Sequence, residues 1–249
     1  MEQKYNVPAI DRADAVLSLL IDEPYRWKLS DLSKQLNISK STLYSLLVTM
    51  ERLKWVNRDR NETYAIGSAL GRFGSAFFRQ YDLIEEFRRL ADPVMRRLQE
   101  SVQMAVLEGN DVLYLAKVEA ATPVQMVSGP GVRFPAHATG LGKALLSDKS
   151  EEELRQLFPQ ESLQKITVHT ISSRESLIEE IKQGKQAGYT TDIQEGVMGF
   201  CCVAAPISKP NGSIIAAVSC SMPIHKWEGK KEQALQEILE LSKLLSPLH

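Results

Sequence analysis

The sequence predicts a two-domain protein of the α/β (α+β) class, with helices and a small hairpin first and an antiparallel sheet in the second part. A length of 249 residues exceeds what one small domain needs and suits two domains, each with its own core. Apolar residues recur at helical spacing near the N-terminus, whereas later strands come in pairs joined by short turns. Paired strands of this kind favour antiparallel pairing.

Three helices are predicted at the N-terminus. The first covers residues 8–21, where apolar side chains form one stripe. Ser30 is expected to cap a short second helix, which Asn37 closes because asparagine tolerates the left-handed conformation. Ser39 is expected to cap the third helix, whose apolar positions again recur at three and four. The apolar stripe of the first helix consists of Ile10, Ala13, Val16, Leu17 and Leu20.

A small hairpin is predicted directly after the third helix. Residues 55–58 and 63–66 read as two short strands, and residues 59–62 form a polar, charged tip. Two short helices separated by a tight turn and followed by such a hairpin are the order of a winged helix-turn-helix. This domain is assigned to residues 1–67.

A linker helix is predicted over residues 68–91, where apolar side chains keep helical spacing. Asp92 and Pro93 are expected to cap and begin a new helix, and with it a C-terminal domain of residues 92–249. One winged helix contacts too little DNA for specific recognition, so a dimer that reads two half-sites is expected. Three aromatic residues of the linker helix either serve this dimer or pack on their own domain: Phe73, Phe77 and Phe78.

The C-terminal domain is predicted to alternate strands with helices. The predicted strands are 103–107, 112–118, 124–128, 200–206 and 213–221. The predicted helices are 140–146, 151–158, 174–187 and about 230–245. Ser150 and Glu153 have the spacing of a capping box before the second of these helices.

Composition excludes several classes of protein. Hydrophobic residues make up 43% of the chain and charged residues 24%, as in an ordinary globular protein, and no apolar run is long enough to cross a bilayer. The N-terminus lacks the basic and then apolar run of a secretory signal, so a cytoplasmic location without a membrane partner is expected. Cys201, Cys202 and Cys220 form no CxxC pair, so reduced thiols and no zinc site are expected.

Charge is distributed unevenly along the chain. The whole chain has a formal charge of −1, whereas residues 39–79 contain seven basic and three acidic residues. Such a segment is typical of a surface that faces a polyanion, although charge runs are also typical of a solvated face. Small hydroxyls allow close approach to base edges, and cations attract phosphates. The predicted DNA-binding residues are Ser39, Lys40, Ser41, Thr42, Tyr44, Ser45, Arg58 and Arg60.

Several segments in order resemble the IclR family of bacterial transcriptional regulators over nearly the whole chain. They are Leu32–Thr42 with Leu46 and Leu47, Tyr64–Gly67, Phe73 and Gly74, Asp82 and Leu83, Pro135–Leu146, Gly188 and Tyr189, and Cys202–Pro206. The resemblance implies a GAF-like effector-binding domain and a homodimer or dimer of dimers on a DNA operator. It also implies a small organic, aromatic or sugar acid as effector. Two departures from the family pattern, Ala136 and Cys201, affect the shape of the pocket.

The resemblance also implies which residues hold the effector, namely the helix start after Thr139 and the late strands. The residues assigned to it are Gly140, Leu141, Asp192, Phe200, Cys202, Ser219 and Ser221.

Part of this site follows from the residues themselves. Thr139 is a suitable N-cap, and the glycines after it leave backbone N–H groups uncovered for an anion, although a helix tightly packed on the sheet has the same pattern. In a strand, Ser219 and Ser221 share one face, and an even hairpin loop places Cys202 opposite one of them. Serines on one face are also commonly solvent-facing.

Two alternatives to a ligand-switched DNA binder remain. In one, the C-terminal domain is only structural. In the other, the chain is a cysteine-dependent enzyme with Cys202 as nucleophile, His137 as base and Asp192 as the residue that orients the base. Nothing in the sequence brings a histidine to the Cys202 strand, so no catalytic residue is assigned. The other histidines, His169, His225 and His249, lack metal-ligand spacing, so no metal or other cofactor is predicted.

Overall fold

A computed structural model describes residues 7–78, 83–121 and 128–246 of the chain. The chain divides into two compact units, residues 1–80 and 81–249. Within the described residues, no helix is both long and apolar enough to cross a membrane.

The helices and strands are named here in chain order. The helices are α1 (Pro8–Asp22), α2 (Leu29–Gln35), α3 (Lys40–Arg52), α4 (Ser68–Phe78), α5 (Leu83–Leu98), α6 (Gly140–Leu145), α7 (Glu151–Leu157), α8 (Arg174–Ala187) and α9 (Ile224–Leu245). The strands are β1 (Val56–Arg58), β2 (Tyr64–Ile66), β3 (Ser101–Glu108), β4 (Asp111–Val118), β5 (Arg133–Pro135), β6 (Thr190–Ile193), β7 (Phe200–Ser208) and β8 (Ile214–Pro223).

The N-terminal unit contains the predicted helix, turn, helix and hairpin. Asn37 has a φ of 53°, so the left-handed end of the second helix is confirmed. Ile10 is 67% exposed and is not part of the core, contrary to the prediction. Ser30 is not the cap of α2, because the helix begins two residues earlier than predicted, at Leu29, and the Asp31 carboxylate accepts from the Lys28 backbone N–H. The core of this unit consists of Ala13, Val16, Leu20, Leu32, Leu43, Leu47, Met50, Val56 and Tyr64.

The helix boundary predicted at Asp92 and Pro93 is wrong. Helix α5 runs through Pro93, which lies in its interior and lacks the N–H for one backbone hydrogen bond. Apolar side chains of α5 are buried on both sides of the proline, and their packing outweighs that loss. The predicted linker helix corresponds to α4 and the first part of α5, and residues 79–82 between them lie outside the described part of the chain.

The C-terminal unit is built on one six-stranded sheet with the order β5-β4-β3-β8-β7-β6. Every neighbouring pair is antiparallel, which confirms the predicted sheet. The sequence reading missed β5 and β6, which are only three and four residues long. Of the strand predicted at 124–128, residues 124–127 lie outside the described ranges.

Two layers of helix cover this sheet. On one face, α6 packs across the central strands, and α7 and α8 add buried apolar side chains such as Leu154 and Ile178 to the same core. On the other face, α5 and α9 pack against the sheet and against each other. The buried Glu100 carboxylate holds the start of α9 by accepting from Lys226 and Lys230, each at 2.8 Å.

Candidate DNA-binding surface and sheet cavity

The start of α3 forms a polar, exposed surface. The Ser39 hydroxyl accepts from the Thr42 backbone N–H at 3.3 Å, which confirms the predicted cap. Tyr44 is 58% exposed although it is a large aromatic residue. The other residues predicted to read DNA on this helix are exposed as well: Ser39, Lys40, Ser41, Thr42 and Ser45.

The hairpin carries the predicted wing arginines at its exposed end. Arg58 donates to Glu62 at 2.6 Å and lies 6.0 Å from the centre of the Tyr64 ring. Arg60 is exposed in the turn between the strands. The Asp59 carboxylate accepts from the backbone N–H groups of Asn61 and Thr63, which fixes the turn and lowers the pKa of that carboxyl. Because the turn is fixed, the backbone positions of Arg58 and Arg60 are defined.

Two further residues of α3 share the exposed face and were missed by the sequence reading. Val48 lies one turn after Tyr44 and is 46% exposed, and Arg52 follows one turn later. An apolar methyl can contact thymine and an arginine can contact phosphate or guanine. Counting positions at intervals of four from Tyr44 would have found both.

The C-terminal unit contains a small cavity, here the sheet cavity, between the α6 face of the sheet and the turn after β6. Its free volume is about 20 Å³. It is lined by Tyr114, Phe134, Thr139, Leu141, Asp192, Gly196, Val197, Phe200, Cys201, Cys202, Ser219 and Ser221. All predicted effector residues except Gly140 are among them. Tyr114, Phe134, Gly196 and Val197 were missed, because the strands and turn that bring them there are far apart in sequence.

Backbone geometry explains the two glycines at the start of α6. A Cβ at Gly142 would lie 2.0 Å from the Ala136 carbonyl oxygen, and a Cβ at Gly140 would lie 2.7 Å from the Cys202 sulfur. The Gly142 N–H donates to the Thr139 hydroxyl at 3.0 Å, which confirms the Thr139 cap. The expectation that the glycine amides are uncovered is therefore wrong for Gly142, because the Thr139 hydroxyl accepts from its N–H.

The predicted face of β8 is confirmed. Cys202 pairs directly with Ser221 in the register, so both point to the cavity side of the sheet. The Ser219 and Ser221 hydroxyls donate to Gln103 Oε1 at 3.1 and 3.2 Å. All of these side chains are buried, so the serines are not solvent-facing. Gln103 was missed because only the pairing of β3 with β8 places it beside them.

Asp192 joins the cavity to the turn that follows β6, residues 194–199. Its carboxylate accepts from the Glu195 backbone N–H at 2.6 Å. Asp192 is only 9% exposed. Burial raises the pKa of its carboxyl to about 7, in spite of this hydrogen bond.

A buried lysine lies next to this turn. Lys143 of α6 is fully buried, and its Nζ lies 2.8 Å from both Glu180 Oε1 and Glu195 Oε1. Burial opposes its charge, but the two carboxylates prevail and raise the pKa of the ammonium group. The second carboxylate oxygen of Glu195 is buried without a hydrogen-bond partner. Lys143 thus links α6, α8 and the turn.

The residues of a cysteine enzyme are not brought together. His137 Nε2 contacts the Gln164 carbonyl at 2.8 Å, and the ring lines a different cavity from Cys202. Burial raises the pKa of the Cys202 thiol well above its ordinary value, and it raises that of Cys201 to about 11 and that of Cys220 to about 12. Such thiols are poor nucleophiles at neutral pH. Within the described ranges, no cluster of three or more His, Cys, Asp or Glu residues is placed to bind a metal.

Sequence profiles of two domains match the chain. The profile described as IclR helix-turn-helix domain matches residues 9–60. The profile described as bacterial transcriptional regulator IclR C-terminal matches residues 75–244. Together they span both units.

Individual relatives agree with the profiles. The HTH-type transcriptional repressor AllR of Escherichia coli (strain K12) is 33% identical over 220 residues, which cover 86% of this chain and 80% of AllR. The crystal structure of IclR from Thermotoga maritima superposes with a TM-score of 0.76 at 26% identity, covering 97% of this chain and 100% of that one. An IclR homologue from Microbacterium hydrocarbonoxydans, solved with 4-hydroxybenzoate, shares the fold at a TM-score of 0.81 and 22% identity, covering 96% and 97% of the two chains.

Proposed function

Because this chain belongs to the IclR family of bacterial transcriptional regulators, we propose that it is a repressor whose affinity for its operator is controlled by a small acid. The acid binds in the sheet cavity. The observation that carries the proposal is the presence, in one chain, of an exposed polar helix after a tight turn and of a buried cavity with polar side chains.

The DNA contacts are assigned to α3 and the hairpin. Helix α3 enters the major groove, where Ser41, Tyr44 and Ser45 face base edges and Lys40 faces phosphate. Arg58 and Arg60 of the wing reach the backbone or the minor groove beside it. The exposure of all these side chains supports the assignment.

A dimer is part of the proposal, as a homodimer or a dimer of dimers. One such helix reads only a few base pairs, and two related half-sites supply the specificity that a genome requires. Phe73 is 51% exposed on α4 and is available for such a contact, in addition to its edge-to-face contact with Trp55. The side chains of Phe77 and Phe78, predicted for the same purpose, lie outside the described part of the chain.

The effector is assigned to the small organic, aromatic or sugar acids. The aromatic rings of Tyr114, Phe134 and Phe200 supply apolar walls, and the hydroxyls of Ser219 and Ser221 supply polar contacts. These hydroxyls already donate to Gln103 Oε1, so an effector that accepts from them replaces an internal hydrogen bond. The affinity for each acid then depends on how strong its hydrogen bonds to the two serines are, compared with the bonds to Gln103 that they replace.

Thermal unfolding of the pure protein against a panel of acids tests this proposal. The panel contains acetate, pyruvate, 4-hydroxybenzoate and gluconate, and a ligand at 100 times its dissociation constant adds about 2.7 kcal/mol of stability. We expect a selective rise in Tm with at least one acid. A flat panel, with DNA binding intact, would favour a regulator whose C-terminal unit is only structural.

The serine pair gives the matched variants. Ser219→Ala together with Ser221→Ala removes both hydroxyls, so we expect effector affinity to fall at least tenfold while operator affinity stays within twofold, as measured by fluorescence anisotropy. Ser176→Ala, on the exposed start of α8, is the control. An unchanged effector response in the double variant would exclude the sheet cavity as the site.

A further inference from the structure

The charges around Asp192 do not balance. The cluster contains one cation and three carboxylates, so it has a net charge of −2 when all four groups are ionised. Lys143 already contacts Glu180 and Glu195, and no basic residue is among the described residues that line the sheet cavity. The titratable groups that face Asp192 or its partners are Lys143 of α6, Glu180 of α8, Glu195 of the turn, Tyr114 of β4, and Cys201 and Cys202 of β7.

A carboxylate effector therefore meets a site of the wrong charge. The Gly142 amide at the start of α6, which would otherwise stabilise an anion, is taken by the Thr139 hydroxyl. A further anion beside an ionised Asp192, at low local dielectric, is strongly disfavoured. Uptake of one proton by Asp192 removes this repulsion and leaves a carboxyl O–H that donates to the incoming carboxylate.

The same carboxylate also holds one wall of the cavity. The turn 194–199 contributes Gly196 and Val197 to the lining, and its Glu195 amide donates to Asp192. The rest of the turn is held independently, because the Thr167 and Thr170 hydroxyls donate to the Gln194 and Glu195 carbonyls, each at 2.7 Å. Protonation of Asp192 weakens only the bond on the cavity side, since a neutral carboxyl is a poorer acceptor.

Cavity size makes movement of this wall necessary. A free volume of about 20 Å³ accommodates one water molecule, whereas pockets for small organic ligands are about 300 Å³ or more. The backbone of the turn includes Gln194 at a φ of 62° and Gly199 at a φ of 82°, so it is an irregular segment rather than part of the sheet ladder. It is the part of the wall that can shift without breaking strand pairing.

We propose that Asp192 couples effector entry to proton uptake: a monocarboxylate binds together with one proton from solvent, and the protonated Asp192 loosens the cavity side of the 194–199 turn and donates to the ligand. This inference rests on the proposed effector site. On this proposal, the protonation state of Asp192 determines whether the cavity binds an anionic ligand.

Asp192 is first followed without ligand, by carbon-13 NMR of the aspartate carboxyls between pH 5 and 9, with Asp192→Asn to assign its signal. We expect the Asp192 carboxyl to titrate near neutral pH and the Glu195 and Gly196 amide shifts to follow with the same midpoint. Titration of Asp192 near pH 4, or amides that do not follow it, would overturn the proposal.

Calorimetry then follows the panel acid that binds most tightly. We expect its dissociation constant to rise tenfold per pH unit above about pH 7, and parallel titrations in phosphate and Tris at pH 8 to report uptake of about one proton. The neutral amide of that acid is expected to show a shallower pH dependence, because it lacks the charge repulsion from Asp192 but still needs the released turn. Asp192→Asn should remove the slope for the acid, whereas Asp111→Asn, elsewhere in the domain, should keep it.

The outcomes separate this inference from the proposed function. Binding of an acid with the same affinity from pH 6 to 8.5 and no proton uptake overturns the proton coupling and leaves the effector site in place. Failure of every panel acid to bind between pH 5.5 and 8.5 overturns both.

Discussion

A single methyl group is excluded at Gly142. Its Cβ would lie 2.0 Å from a backbone oxygen of Ala136, and backbone cannot move aside as a flexible side chain does. We expect Gly142→Ala to lower the free energy of unfolding by about 1–3 kcal/mol or more, as overpacking does, measured by urea denaturation. Gly229→Ala is the matched control, because it lies in helix α9 with open space around it. The free energy of unfolding of Gly229→Ala should rise by about 0.5–1 kcal/mol. An equal change in the free energy of unfolding for both variants would contradict the clash at Gly142.

Asp192 makes stability depend on pH in a predictable direction. Its pKa is raised in the folded state, to about 7 from an ordinary value of 3.8, so the folded protein binds the proton more tightly than the unfolded chain. The corresponding stability is fully present below pH 3.8 and is lost as pH rises through about 7. Asp192→Asn keeps an acceptor oxygen but cannot ionise. As pH rises from 4 to 8, we therefore expect the free energy of unfolding of the variant to increase by up to about 4 kcal/mol relative to that of the wild type. A constant difference in unfolding free energy across that range would show that Asp192 titrates normally.

Among the helices, α5 is destabilised by a proline in its interior. Pro93 interrupts its hydrogen bonds, and the helix persists because Phe87, Ala91 and Val94 are buried. We expect Pro93→Ala to raise the free energy of unfolding by about 1–3 kcal/mol, since alanine restores the missing bond and is the best helix former. Chemical denaturation measures this, with Ser176→Ala on α8 as the control. Loss of stability in Pro93→Ala would mean that the packing of α5 depends on a bend at the proline.

The elements also show how far local sequence determines this fold. Alternation and an even hairpin loop predicted Cys202 opposite Ser219 or Ser221, because both act within one hairpin, and the observed register selects Ser221. The end of the linker helix did not follow, because packing of α5 on the sheet overrides the local preference of Pro93. Strands β5 and β6 are too short to show a period of two, and they exist because neighbouring strands offer them hydrogen bonds.

The site divides in the same way. Ser219, Ser221 and Cys202 were predictable as one face, and exposed Ser41 and Tyr44 as one helix start. Gln103 and the 194–199 turn were not predictable, since only the register of distant strands places them at the cavity. The Thr139 cap on the Gly142 amide, in contrast, lies within one helical turn and was predictable.

For the molecule as a whole, net charge is near zero while residues 39–79, which include the proposed DNA contacts, are basic. Binding to DNA is therefore expected to depend on a few side chains rather than on overall charge. Lys40→Ala and Arg58→Ala should each weaken operator binding and reduce the slope of log K against log salt by about 1, as measured by anisotropy from 50 to 200 mM salt. Lys185→Ala, on exposed α8, removes the same charge away from α3 and should leave the slope unchanged. Identical slopes for all three variants would remove Lys40 and Arg58 from the interface.

The three cysteines have a practical consequence for the whole molecule. Because Cys201, Cys202 and Cys220 are buried and hold their protons at neutral pH, maleimide reagents will find little thiolate to attack in the native chain. A cysteine introduced at an exposed position, for example Lys185→Cys, would then carry a fluorophore or spin label in nearly pure form without removal of the natural thiols. Because packing of the sheet keeps the natural thiols unreactive, a single introduced cysteine is enough for site-specific labelling of this regulator.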